Sequence, residues 1–524
     1  MSDDPLINLP GAQADLFPAQ PKSLMINPAT PRYGTRSKAA CATNLRTSMT
    51  TQRRYELISS FPSPLTSFVL FFFLLVNVIP AWAQDRRTVS EPALPVHVCS
   101  TLSPMIASFG GDDQAETRRL QAAIDHCAVG EAVHLVAGDR GGRFLSGPLS
   151  IKSGITLWLE HGVVLAAIAD PRAYDRDGRC GTIDDKGDGC RPFILFAGTR
   201  GGGIVGDGVI DGQGGATMAG HDETWWQLAR RAQAKGGEQN NPRLIEVDYA
   251  KEISFYKVKL RNSPNFHVVL NRVEGATFWG VQIDTPADSR NTDGIDPGAS
   301  QDITIAHSFI RTGDDNIALK AGNGPTSHVS IVDVHLYWGH GLSIGSETVA
   351  GVSDILVRDV TLDGTTSGLR IKSDISRGGT VSNVRYENVC LRGNRKPIDF
   401  DTHYDDKARG RSIPIYRDIV LHDVVGESGT LVIRGQDQAH ALGVKFDGVR
   451  FGKDVTWQVE YANLAIGPGG AVPRPPGLAA PAGDRSVVSP CDRRWAPFPD
   501  SPNEQAETAP AVKRKTLQHT EVPS

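Results

Sequence analysis

Three short segments concentrate groups suited to acid–base chemistry. Asn291-Thr292-Asp293, Gly313-Asp314-Asp315 and Gly339-His340-Gly341 follow one another along the chain, and Arg370 and Lys372 come next, two residues apart. Hydrolysis of a glycosidic bond needs two carboxyl functions, one protonated for the leaving oxygen and one basic to activate water. Carboxylates crowded together raise one another's pKa, which keeps one of them protonated near working pH. Arg370 and Lys372 can pair with a substrate carboxylate, and His340 can tune or orient the acid. Each piece alone has a plainer reading. An Asp-Asp pair is common in turns, a Gly-His-Gly is a loop, Arg-x-Lys is a solvated strand face, and Trp225-Trp226 is a core or cap pair. A shared register on consecutive repeats is what sets the group apart.

The repeats supply that register. Short alternating units begin at Ile253, Ala276, Ile303, Val329, Ile355 and Val384, separated by 23, 27, 26, 26 and 29 residues, and further units begin at Ile419 and Val444. A period in this range signals stacked repeats. The units are short, β-branched and of period two, so they read as strands. No helical pattern lies between them, which argues against βαβ units. The remaining solution is an all-β solenoid, a parallel β-helix with one coil per repeat. A second strand aligns in the same coils at Ile295, Ile317, Leu342, Leu369 and Ile398. In that alignment Asp293, Asp315 and His340 share one position, two residues before the first inward apolar side chain. Strict alternation would aim the two Asp inward, so they must lie on the bend entering the strand. Asp113-Gln-Ala-Glu116 reads as a capping box opening a helix that plugs the N-terminal end of the solenoid.

The rest of the chain bounds the setting. A net charge of −4 gives no basic field for nucleic acid. Arg53-Arg54, an apolar run from Phe68 to Val76 and Ala81-Trp82-Ala83 form a secretion signal, too short to span a membrane, with cleavage expected after Ala83. Translation is expected to start at Met49. The expected divisions are 1–83 (extension and signal, removed), 84–470 (catalytic β-helix) and 471–524 (C-terminal segment, with a disordered tail beyond Trp495). Of seven Cys, six remain after Ala83. An even number in an exported chain favours disulfides, with Cys180–Cys190, Cys99–Cys127 and Cys390–Cys491 as the expected pairs. No spacing suggests a metal site, and no cofactor is implied. The short repeat spacings around the acidic patch predict an open groove; the longer stretches lie elsewhere, at Gly181–Gly189, at Gly214–Gln239 and from Val384 to Ile419, and Gly214–Gln239 is the first suspect for a block.

Asn291-Thr-Asp-Gly, Gly313-Asp-Asp, Gly339-His-Gly-Leu-Ser-Ile-Gly-Ser346 and Arg370-Ile-Lys372, in this order, resemble the polygalacturonase family of glycoside hydrolases (family 28). Gly206-Asp-Gly-Val-Ile-Asp-Gly212, Asn262-Ser-Pro-Asn-Phe-His267 and Gly364-Thr-Thr-Ser-Gly-Leu-Arg370 support the likeness, which runs from about residue 110 to 460 and points to the bacterial endo-acting branch. The resemblance implies a single-stranded right-handed parallel β-helix of the pectin-lyase-like kind and an inverting hydrolysis of polygalacturonate. It implies that Asp314 is the general acid, that Asp293 and Asp315 activate water, and that His340 stands beside the acid. Arg370, Lys372 and Tyr404 would bind substrate, and Asn291 would support Asp293. A secreted monomer acting on pectin, with no nucleic-acid or membrane partner, is the expected protein. The alternatives are an exo-acting polygalacturonase, a calcium-dependent pectate lyase, a rhamnogalacturonan hydrolase and a non-catalytic carbohydrate-binding β-helix.

Overall fold

The computed structural model describes residues 84–105, 114–139, 141–478, 491 and 494–499. The expected N-terminal extension and secretion signal, with the expected cleavage at Ala83, and residues 500–524 lie outside the described residues.

The chain winds into a parallel β-helix. Ile253, Ala276, Ile303, Val329, Ile355, Val384, Ile419 and Val444 pair in one parallel ladder, in the register the repeats predict. A second ladder joins Ile295, Ile317, Leu342, Leu369 and Ile398 within an 11-stranded parallel sheet. The inward residues of both ladders are almost entirely buried, among them Ile317, Leu342, Leu369 and Ile398 at 0% exposure. Each such side chain contributes roughly 1.5–3 kcal/mol on burial, and stacked coils repeat that gain every turn. Phe255 and Phe278 stack in successive coils with centroids 4.6 Å apart.

Most of the repeating six-residue units are not single strands. Their fifth residue is a bend: Lys257, Gly280, His307, Asp333, Asp359, Asn388, Asp423 and Gly448 all have positive φ. Asn, Asp and Gly populate that left-handed region most readily, which is why Asp-Val and Asn-Val recur there. After most of these bends a second short strand starts, as in Phe309–Arg311 and His335–Tyr337, whereas Gly379–Arg392 and Pro414–Gly426 run on through Asn388 and Asp423.

Helix Ala115–His126 buries Leu120 and Ile124 as the expected plug. Its expected capping box differs from the structure. The N-cap is Gln114, without a side-chain capping bond, and Glu116 pairs with Arg119 instead; Asp113 lies outside the described residues. A true capping box occurs at Thr224 and Gln227, opening a helix at Trp225–Lys235 that the sequence reading missed. Trp225 is core, at 1% exposure. Disulfides join Cys99–Cys127, Cys180–Cys190 and Cys390–Cys491, as expected. Beyond Trp495 the expectation was disorder, yet Ala496 and Phe498 pack on the coils: the Tyr337 hydroxyl donates to the Ala496 carbonyl, and the two rings meet edge to face.

Candidate active site

The outer face of the 11-stranded sheet floors a cleft of about 420 Å3. Alternation along strands sends every second side chain to this face, so Asp296, Ser343, Arg370 and Asp399 form one outward row across the coils, and Lys372 and Asp401 another. Asp293, Asp314, Asp315 and His340 stand on the bends just before these strands. All eight residues singled out in the sequence, Asn291, Asp293, Asp314, Asp315, His340, Arg370, Lys372 and Tyr404, line this one cleft.

Glycine permits the tight approach of these bends. Gly339 and Gly341, on either side of His340, have φ of +66° and +76°. A Cβ on Gly339 would lie 2.5 Å from the Asp314 carbonyl oxygen, and one on Gly341 2.2 Å from that of Ser367. His340 is thereby drawn against the preceding coil. Its Nδ1 is 3.0 Å from Asp314 Oδ1 and 3.9 Å from Asp315 Oδ1. Asp314 also accepts from the Asn291 and Asp315 backbone N–H groups, at 3.2 and 3.0 Å. Asp315 is held more firmly: Lys372 Nζ donates to it at 2.7 Å and the Ser343 hydroxyl at 2.8 Å. Lys320 reaches Asp296 at 2.8 Å and Asp293 at 3.5 Å. Asp293 Oδ1 accepts no hydrogen bond from the described residues. Tyr404, 42% exposed, carries three cations over its ring: Lys372, Arg370 and Arg377, at 5.3, 5.4 and 5.9 Å.

Burial raises all four carboxyls, and their neighbours then separate them. In Asp314 the His340 imidazole, with Lys372 and Lys320 behind it, overcomes burial and holds the group well below the usual carboxylate range. Lys372 does the same for Asp315, against the charge of Asp314. For Asp293 burial is reinforced by Asp296 and Asp314, so its carboxyl rises well above the usual range. Burial lifts Asp296 to about 6, with Lys320 opposing. Crowding thus does raise carboxyls, but the two it raises are Asp293 and Asp296. Asp314, beside His340, is held low instead.

Sequence reasoning missed three supports. Lys320 compensates the two high carboxyls, and the outward parity of Ile317–Leu319 pointed to it. His267, fully buried and lowered to about 4 by that burial, has its Nδ1 3.1 Å from the Asp293 carbonyl and so pins the Asp293 bend. Asn316 accepts from the Gly341 N–H at 3.1 Å and donates to the Tyr337 carbonyl at 3.2 Å, bracketing the His340 turn. Asp314, Asp315 and His340 lie close enough to embrace an ion. The donors fit calcium poorly, because that ion takes six to eight oxygens while Asp315 is already committed to Lys372 and Ser343.

Fold and cleft together define a β-helical glycoside hydrolase. The chain belongs to Glycosyl hydrolases family 28, whose family model matches residues 134–467. It is 44% identical over 388 residues to an endo-polygalacturonase of Pectobacterium parmentieri, covering 73% of this chain and 94% of that protein. It is 41% identical to a polygalacturonase of Ralstonia solanacearum, covering 72% of this chain and 81% of that protein. The solved polygalacturonase of Erwinia carotovora superposes with a TM-score of 0.68 at 43% identity, covering 73% of this chain and 100% of that one.

Proposed function

We propose that the chain is a secreted, monomeric endo-polygalacturonase that hydrolyses the α-1,4-linked galacturonate backbone of de-esterified pectin with inversion. The observation that carries this reading is the convergence of Asp293, Asp314, Asp315, His340, Arg370 and Lys372 in one cleft, in a chain 44% identical to an endo-polygalacturonase. Asp314 delivers the proton to the leaving oxygen. Asp314 lies 3.0 Å from His340 Nδ1; substrate binding strips water from the carboxyl, and that desolvation favours its protonated form. Asp293, with Oδ1 uncommitted, and Asp315 orient and deprotonate the attacking water. Arg370 and Lys372 bind the substrate carboxylate at the cleavage point, Tyr404 packs on the sugar, and Asn291 supports Asp293. The functional chain begins after Ala83, with residues 84–470 as the catalytic domain.

The reaction class is tested by exhaustive chelation. Activity is expected to persist in full, with new reducing ends and no rise in the ultraviolet absorbance of a 4,5-unsaturated sugar. A chelator-sensitive reaction with growing absorbance would identify a lyase.

The mode of attack is tested by viscometry. The Gly214–Gln239 insertion, the chief candidate for an exo-type block, turns its apolar side inward through Trp225, Leu228, Ala229 and Ala232 and offers only Gln233 to the cleft. Viscosity of polygalacturonate is therefore expected to fall steeply while few reducing ends have formed, with mixed oligomers as early products. Monomer or dimer as the sole product from the first minutes would overturn the endo reading.

A further inference from the structure

The turn that presents His340 is braced by the C-terminal segment. Trp338, two residues before His340, has φ of +23°. A bulky residue at positive φ is strained and persists only where its surroundings over-determine it. Here they do. The indole Nε1 donates to the Thr285 carbonyl at 3.2 Å, and the Arg311 guanidinium lies 4.7 Å from the indole ring. Arg311 is itself fixed by a two-pronged pair with Asp284, at 2.6 and 2.8 Å. Phe498 meets the same guanidinium, which lies 3.9 Å from its ring centroid. Phe498 also meets Tyr337, the residue before Trp338, at 5.4 Å, and the Tyr337 hydroxyl donates to the Ala496 carbonyl at 2.7 Å. Arg494 pairs with Asp359 at 2.6 Å, Trp495 lies 4.1 Å from the Arg392 guanidinium, and Cys491 is joined to Cys390.

We infer that Cys491 and residues 494–499 form a disulfide-tethered latch, and that Phe498, acting through Arg311 and Trp338, is a positioning element for the His340–Asp314 contact. The latch contributes no residue to the cleft lining, so it acts on the rate and not on substrate affinity. The Phe498–Arg311–Trp338 chain of contacts holds the strained residue in place, and Gly339 then carries His340 to Asp314. The acidic groups facing His340 are Asp314 and Asp315. Arg370 and Lys372 face it from the next coils across Asp315. A shift of the turn changes the first of these contacts and hence the ionisation of the acid. This inference rests on the assignment of Asp314 and His340 made above.

The test uses Phe498→Ala, Phe498→Tyr and His340→Ala in the full chain. Phe498→Ala is expected to lower kcat on polygalacturonate on the order of 10-fold, a part of what a lost acid costs, with KM unchanged and the alkaline limb of the kcat–pH profile displaced. Phe498→Tyr, which keeps the ring, restores both. Reduction of Cys390–Cys491 in the wild type reproduces the Phe498→Ala profile. If kcat and the pH profile stay at wild-type values while only the Tm falls, the latch is a structural cap and the inference fails. His340→Ala separates the two levels: an active His340→Ala enzyme would undo the catalytic assignment itself, whereas an inactive one beside a silent Phe498→Ala would undo only the latch.

Discussion

Replacing Asp314 with Asn lowers kcat on polygalacturonate by about 10²–10⁴-fold, the usual loss for a general acid, while the protein stays folded. The substitution keeps the shape of the side chain, and its amide oxygen still receives one of the two backbone N–H groups, of Asn291 and Asp315, that Asp314 accepts on separate oxygens. What it removes is the carboxyl's capacity to give up a proton, beside His340 Nδ1 at 3.0 Å. The effect on stability follows from the sign of the shift. Asp314 is held below its ordinary pKa, so its charge stabilises the fold above the unfolded-state value, and that contribution is lost as pH falls. The Asn variant lacks this contribution, but it also removes one of the charges that push Asp293 up. The two effects oppose, so the Tm near neutral pH shifts little. Measured kcat above half the wild-type value would remove Asp314 from the role of acid.

The high carboxyls give a further direction. Asp293 must be ionised to act as a base, and its pKa is raised, so the rate climbs with pH through its titration. For stability the sign reverses: a folded carboxyl raised above its unfolded value binds protons more tightly in the native state, and its contribution declines as pH rises through that window. For Asp296 the window ends at about 6.

The coil register and the membership of the cleft were legible because both follow from alternation. Once Ile317, Leu342 and Leu369 are aligned as inward positions, Arg370 and Lys372 must face out, and Asp315 and His340 must stand on the entering bend. Units such as Val329–Val334 were read two residues too long, since the strand ends at Val332 and Asp333 departs from it in φ. The Trp225–Lys235 helix carried a readable signal in Thr224-x-x-Gln227, a capping box in a stretch that was read only for its length and its Trp pair. Which carboxyl holds the proton was not legible. It depends on Lys320, which belongs to the coil of Asp314 and Asp315 yet reaches across to Asp293 and Asp296, and on the burial of each oxygen, and both are set by three-dimensional packing.

Arg370→Ala is expected to reduce kcat/KM on polygalacturonate by about 10–100-fold, the range for a lost hydrogen bond to a charged group, and to do so with little loss of stability. The two cations of this row are not equivalent. Lys372 is buried against Asp315 at 2.7 Å, and removing one partner of a buried pair costs about 3–5 kcal/mol because the other charge is left stranded. Lys372→Ala therefore lowers Tm as well as activity. Arg370 is held more loosely, 3.4 Å from Asp399 and 3.8 Å from Asp315, and its Nε makes no hydrogen bond among the described residues. A guanidinium has five N–H donors in a fixed fork, so this one retains capacity for a carboxylate arriving from the cleft, with Tyr404 stacked 5.4 Å away to complete the seat. Esterification removes that carboxylate's charge. Fully methyl-esterified pectin is accordingly expected to be a poor substrate for the wild-type enzyme, and Arg370→Ala is expected to narrow the gap between the two polymers by losing activity mainly on the charged one. Initial rates on both polymers, measured for both proteins, decide the matter. Equal wild-type rates on charged and esterified chains would show that no substrate carboxylate is read at Arg370.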